Sequence, residues 1–253
     1  MIAVLKIIFL LGFLIIIHEA GHYTVAKICK IRVNEFAVGF GPKLFSKQKG
    51  ETLYELRLVP LGGFVKLEGE EEHSDKEGSF NKASIPKRIA VILAGATVNI
   101  IFGILAYLVL IVVRHMMKYN NGIIDALGYG IQACGELITE LGRGILELFT
   151  GKISLDNMTG PVGISSMVAK TNGITEFVYL LSIVSISLGV TNLLPFPPLD
   201  GGKGVLLILE AIRRKPLKEE TELKIQSIGF IILIGLSVIV TIKDIAQMGT
   251  PTI

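Results

Sequence analysis

The chain is written in blocks. Apolar residues run almost unbroken from Ile2 to Ala26, from Ile89 to Val113 ("IAVILAGATVNIIFGILAYLVLIVV") and from about Leu223 to Ile242. Another block begins near Phe177 as "FVYLLSIVSISLGV", breaks at "TNLLPFPPLDGG" and resumes as "VLLILEAI" to Ile212. Blocks of about 18 or more apolar residues are long enough to cross a bilayer as helices. The pattern predicts an all-α polytopic membrane protein with about four transmembrane helices. The third block is too long for one plain span and holds Pro195, Pro197 and Pro198 in its middle. Proline removes backbone donors and kinks helices. Irregular backbone survives at membrane depth only where it is buried in protein or lines a cavity. The break is therefore expected to belong to a site.

The polar stretches between the blocks have patterns of their own. "IRVNEFAVGFGPKLFSKQKGETLYELRLVPLGGFVKL" alternates in runs such as "TLYELRLV" and is punctuated by Gly-Pro and Gly-Gly. That predicts short strands and hairpins. "EGEEEHSDKEG", Glu68–Gly78, is acidic and polar and predicts a mobile loop, with His73 solvated in it. "LGYGIQACGELITELGRGILELF", Leu127–Phe149, has apolar residues at helical spacing beside Glu136, Glu140, Arg143 and Glu147. It predicts an amphipathic helix on the membrane or against the bundle. His115 flanks the second span and has no partner at ligand spacing.

These readings divide the chain into seven parts. Residues 1–28 form the first span, 29–86 the hairpin region and acidic loop, and 87–114 the second span. Residues 115–175 form an outer connection and 176–212 the broken third segment. Residues 213–222 form a short loop, and 223–253 the fourth span and tail.

Composition narrows the function. Of 253 residues, 51% are hydrophobic and none is Trp; the net charge of +3 is too small to suggest a nucleic acid partner. The basic residues act instead as topology signals. A dozen Lys and Arg lie between Lys27 and Arg88, and Arg213, Arg214, Lys215 and Lys218 follow the third segment. Both connections are expected on the cytoplasmic side, with both termini and the 115–175 connection outside. Few basic residues precede the first apolar run, and no small-x-small cleavage pattern precedes "HEAGH". The first block therefore reads as a retained helix. Cys29 and Cys134 are far apart, match no metal or redox spacing, and read as small buried residues.

The first block ends in an unusual way for a membrane helix, on His18-Glu19-Ala20-Gly21-His22. On a helix, positions i and i+4 share a face, so His18 and His22 can bind one Zn²⁺ together. Glu19 points beside them, where it can take a proton from water. Ionisable groups in a span cost at least about 2.5 kcal/mol for a central charge and usually mark function. The plainer reading is a histidine pair hydrogen-bonded inside a polar bundle. A catalytic zinc needs a third protein ligand and an open position. Asp200 is the candidate, directly after the proline-rich break, with Gly201 and Gly202 allowing close backbone approach. Asp200 could alternatively cap the helix that resumes there.

"HEAGH" in the first span together with "NLLPFPPLDGG" in the third closely resembles the site-2 protease family of zinc intramembrane metalloproteases, in its bacterial RseP-type branch. "VGFGPKL", "LVPLGGFVKLEGE", "FNKASIPKRIAVILAGATVN" and "GPVGIS" fall in that family's order, so the resemblance covers almost the whole chain. It implies that His18, His22 and Asp200 are zinc ligands and Glu19 the general base. It implies that Asn192 holds substrate near the site, and that Asn99 fills a recurring polar position. The Gly39–Leu67 hairpins match a small cytoplasmic membrane-reentrant β element that presents substrate, which points to Gly62 and Gly63. The implied partners are the lipid bilayer and single-span membrane proteins, such as anti-sigma factors or signal-peptide remnants, trimmed by an earlier outer cut. The implied place is a bacterial inner membrane, with the active site toward the cytoplasm. Two departures stand out. The family's RseP-type members usually carry PDZ domains between the second and third spans, and about sixty residues leave no room for one. The family also often has Gly-Pro where this chain has Gly95-Ala96, a mild local change expected not to touch the zinc.

Two readings from other classes compete. A non-catalytic scaffold of the same fold would bind client helices, but its mark would be a lost Glu or ligand. A transporter would need a second polar cluster along a path, or an inverted repeat, and neither is visible in the sequence.

Overall fold

The computed structural model describes residues 2–152 and 158–248. Its elements in order are α1 (Ile2–Ile28), β1 (Val33–Lys49), β2 (Thr52–Leu67), a short 3-10 turn (Phe80–Lys82), α2 (Ile85–Tyr119), α3 (Ile123–Phe149), α4 (Pro161–Lys170), α5 (Ile174–Asn192), α6 (Asp200–Arg213) and α7 (Glu219–Met248). Among the described residues, α1, α2, α5 and most of α7 are long and apolar enough to cross a membrane. The four expected spans are present. The third segment is broken where the prolines predict: α5 stops at Asn192 and α6 begins at Asp200. With 14 residues, α6 is too short to span on its own. Residues 249–253 of the expected tail lie outside the described residues.

The chain forms two compact units. The first comprises residues 1–100 and 187–231. Its core joins Ala26 at the end of α1, Val33 and Leu67 at the base of the strands, Val91 and Ile92 of α2, and Leu207 of α6. Helices meet closely where side chains are missing. A methyl group added at Gly21 would lie 2.8 Å from the Ala94 carbonyl oxygen of α2, and one at Gly189 would lie 2.6 Å from that of Ala96.

The strands of this unit make a long antiparallel hairpin that is doubled over. Val33–Val38 pairs with the 63–67 stretch, and Lys43–Lys49 pairs with the 52–57 stretch. Glu35–Val38 also pairs with Leu53–Leu56, running the same way along both segments, so the tip half lies against the base half. The fold-over falls at Gly39 and Gly41, whose positive φ of 89° and 83° side chains rarely adopt. It leans on α1. Gly12, inside the apolar run of α1, faces the Pro60 carbonyl, and Tyr23, three turns on, shares a 2.6 Å hydroxyl–hydroxyl hydrogen bond with Tyr54. Phe40, Leu44 and Phe45 around the fold-over are 50–60% exposed.

The acidic stretch after β2 is more ordered than its composition predicts. Glu68 is buried. It accepts hydrogen bonds from Asn34 Nδ2 (2.8 Å), Ser74 Oγ (2.6 Å) and Lys76 Nζ (3.2 Å). Those donors hold its carboxyl down at about 2. Its carbonyl accepts from the Phe80 N–H at 2.7 Å, which closes the loop. His73 stays exposed, with Asn81 as neighbour.

The second unit comprises residues 101–186 and 232–253. It contains the amphipathic helix α3, slightly longer than expected, and α4, which the apolar pattern does not announce. Helix α4 starts at Pro161, a favoured first position. Asp244 of α7 accepts from the N–H groups of Gly160 (2.9 Å) and Gly163 (2.8 Å), so a carboxylate from another helix caps α4. That explains the glycines of "GPVGIS": a side chain at either would crowd Asp244. The described residues between 115 and 175 contain no strand.

Candidate metal centre

His18 and His22 lie one turn apart on α1, and their Nε2 atoms are 3.1 Å apart. Asp200, the first residue of α6, places Oδ2 3.2 Å from His18 Nε2 and 3.5 Å from His22 Nε2. One ligand atom from each of the three residues falls within 4.8 Å of the other two.

The break before α6 aims the carboxylate. The 193–197 loop folds back over the first turn of α6. A methyl group at Gly202 would lie 2.6 Å from Pro197 N, and one at Gly201 would run into the Leu193 and Leu194 carbonyls. Only glycine permits that closure. The capping alternative is not what forms: Leu199 holds the N-cap position and no side-chain capping bond is made. Asp200 Oδ2 is buried, has no hydrogen-bond partner and faces the two imidazoles.

Both rings are oriented from behind. His22 Nδ1 lies 2.8 Å from the Val91 carbonyl oxygen, which can only accept. The proton therefore sits on Nδ1 and the lone pair on Nε2. His18 Nδ1 lies 3.5 Å from the amide of Asn99, a fully buried residue of α2. The facing atom is the amide nitrogen, Nδ2; exchanging the amide's oxygen and nitrogen makes it an acceptor for Nδ1–H, and His18 then takes the same tautomer as His22. Two imidazole lone pairs and a carboxylate oxygen thus point at one spot. Facing lone pairs repel unless a cation lies between them, and a nitrogen, nitrogen, oxygen donor set suits Zn²⁺.

Glu19 lies beside this set and against the sheet: a methyl group at Gly63 would come 3.3 Å from Glu19 Cγ. Of the other expected residues, Gly62 (φ 140°) packs on the Phe40 ring, and the Asn192 amide donates to the Leu188 carbonyl of its own helix at 3.0 Å. Neither is brought into the histidine–aspartate cluster. Gly95 enters the sequence reading only as part of a departure remote from the zinc, and the structure sets it against both ligand rings. A methyl group there would collide with His22 Nε2 and lie 2.8 Å from His18 Nε2. The signal was available, since an isolated glycine inside an apolar helix often marks close approach.

The model of Peptidase family M50 matches residues 6–236. The chain belongs to peptidase family M50. Among its relatives are a candidate zinc metalloprotease of Clostridium acetobutylicum, 28% identical over 92% of this chain and 94% of the relative. The zinc metalloprotease RasP of Bacillus licheniformis is 24% identical over 97% and 99%. The regulator of sigma-W protease RasP of Bacillus subtilis is 24% identical over 97% and 98%. These alignments run over 320, 418 and 419 positions against 253 residues here, so the relatives hold inserted segments that this chain lacks. Family M50 is the site-2 protease family, and the chain is a zinc-dependent, multi-pass membrane metalloendopeptidase of that kind.

Proposed function

We propose that His18, His22 and Asp200 hold the zinc, that Glu19 is the general base, and that the enzyme cleaves single-span membrane proteins within or near their spans. The observation that carries this is the convergence of Asp200 Oδ2 on both Nε2 atoms, from motifs at opposite ends of the chain. When bound, zinc lowers the pKa of water toward neutrality and polarises a carbonyl. Glu19 takes the proton from the attacking water and returns it to the leaving amine. The Val91 carbonyl keeps the His22 proton on the far side of its ring, and the Asn99 amide backs the His18 ring.

The sheet supports the substrate part of the reading. In the doubled hairpin the 63–66 stretch pairs with Glu35–Val38 and has no strand on its other edge among the described residues. That edge begins at Gly63, beside Glu19. An extended peptide could add there as a further strand, with its carbonyls presented toward the base. A transmembrane helix hides its peptide bonds in its own hydrogen bonds and must unwind first. The contact between Gly12 and Pro60 sets the fold-over against the apolar part of α1, and the exposed Phe40, Leu44 and Phe45 there support a reading in which it dips into the lipid. The basic residues of the 27–88 connection and the 213–218 loop support a reading in which both, and the active-site end of α1, face the cytoplasm of a bacterial cell, with both termini outside. Because one relative is named a regulator of sigma-W, anti-sigma factors are the substrates to try first; signal-peptide remnants, which the family resemblance implies, come next.

The test is zinc content and cleavage in the detergent-solubilised protein. The parent should hold one zinc per chain. Asp200→Ala and His18→Ala/His22→Ala should lose it. Glu19→Gln should keep zinc and lose about 10²–10⁴-fold in rate. Parent protein that takes up no zinc on addition, or a Glu19→Gln variant as active as the parent, would overturn the assignment.

A further inference from the structure

Lys203 lies one turn after Asp200 on α6, on the same side of the helix. Its Nζ donates to Glu70 Oε1 at 2.9 Å, and the two side chains are 32% and 22% exposed. Glu70 is not on a free loop. It follows Glu68, which Asn34, Ser74 and Lys76 hold in place, and Gly69, whose positive φ of 77° sets the chain's direction toward α6. A side chain at Gly69 would collide with Asn81 and Ser79, so this corner of the loop has one packing. At the other end of the same strand, Gly63 lies against Glu19. Besides the core that Leu67 and Leu207 share, the exit of this strand and the helix that carries Asp200 are thus joined by an ion pair, seven residues along the chain from Gly63.

We infer that Glu70 and Lys203 are positioning residues: their ion pair clamps the exit of β2 to α6 and fixes the strand edge relative to Asp200 while substrate binds. This rests on the proposed roles of Glu19, Asp200 and the 63–66 edge. Neither residue touches the reacting atoms. The pair matters because a strand edge that slides by a fraction of an ångström carries the scissile carbonyl with it, and small misplacements cost large factors in rate.

The experiment is a double-mutant cycle on the full chain, measuring kcat, KM and zinc content for Glu70→Gln, Lys203→Met and the double variant. Each single variant should lose on the order of ten-fold in kcat/KM with zinc content unchanged. The double variant should be no worse than either single, and Lys203→Arg, which can keep the pair, should recover most of the loss. Multiplying losses in the double variant would overturn the clamp, as would a Lys203→Met loss with Glu70→Gln unaffected. The latter pattern would mean that Lys203 acts by its charge alone. A parent that neither binds zinc nor cleaves would instead sink the functional reading beneath it, so the two failures are distinguishable.

Discussion

Gly95→Ala is the most demanding single substitution for the metal centre, because it adds one methyl group and no charge. The new Cβ would collide with His22 Nε2 and sit 2.8 Å from His18 Nε2 and 2.9 Å from His18 Cδ2. Ordinary contact begins near 3.4 Å, so His18 Nε2 must retreat by about 0.6 Å, the difference between 3.4 and 2.8, and His22 Nε2 by more. Metal–ligand distances tolerate about 0.2 Å. The rings cannot swing freely, because His22 Nδ1 is held by the Val91 carbonyl and His18 Nδ1 faces Asn99. Relief by moving α2 away would give up the close packing at Gly21, where α1 and α2 touch through backbone. The expected outcome is a loss of zinc affinity of about 10–100-fold or more. A stability loss of about 1–3 kcal/mol from overpacking should accompany it. Zinc retention against a graded chelator, with thermal unfolding in parallel, reads both. Gly135→Ala and Gly142→Ala in α3 are the controls, since a methyl group at either meets nothing. They should be neutral or stabilising by up to about 1 kcal/mol. A Gly95→Ala protein that holds zinc and cleaves like the parent would refute the reasoning.

Asn99→Ala removes the group behind His18 while leaving all three ligand atoms, and should weaken zinc by about 10–100-fold in the same chelator titration; unchanged affinity would mean that Asn99 does not orient the ring. Glu68 has a folded pKa near 2 against an ordinary 4.5, so its contribution to the loop is complete above pH 4.5 and is lost as pH falls toward 2. Amide exchange in residues 69–82, corrected for intrinsic rate, should rise over that range in the parent and start high and flat in Glu68→Gln. Substrate spans containing Gly or Pro should be cleaved faster than all-Leu spans, because the extended segment that pairs with the 63–66 edge must first leave its helix; equal rates would count against strand addition.

How much of this was legible beforehand depends on the range of the interactions involved. The apolar blocks dictate the spans, because a bilayer accepts only a helix whose backbone is satisfied internally. The i, i+4 spacing of His18 and His22 dictates their shared face, because helix geometry is local. The prolines between Asn192 and Asp200 dictate the break for the same reason. Local patterning also gave the hairpin, but not its doubling over at Gly39 and Gly41, which depends on packing against α1 from Gly12 to Tyr23. The acidic composition of residues 68–78 suggested mobility; Asn34 of β1, with Ser74 and Lys76 of the stretch itself, made Glu68 an anchor instead. Asp200 could be named as ligand or cap from sequence alone. Only the closure of the 193–197 loop over Gly201 and Gly202 turns its carboxylate to the imidazoles. The close fit of Gly95, the Val91 carbonyl behind His22 and the Glu70–Lys203 pair belong wholly to the tertiary structure, since each is a contact between segments far apart in sequence. The sequence by itself determined which groups could do the chemistry; long-range packing decided which atoms of those groups face one another.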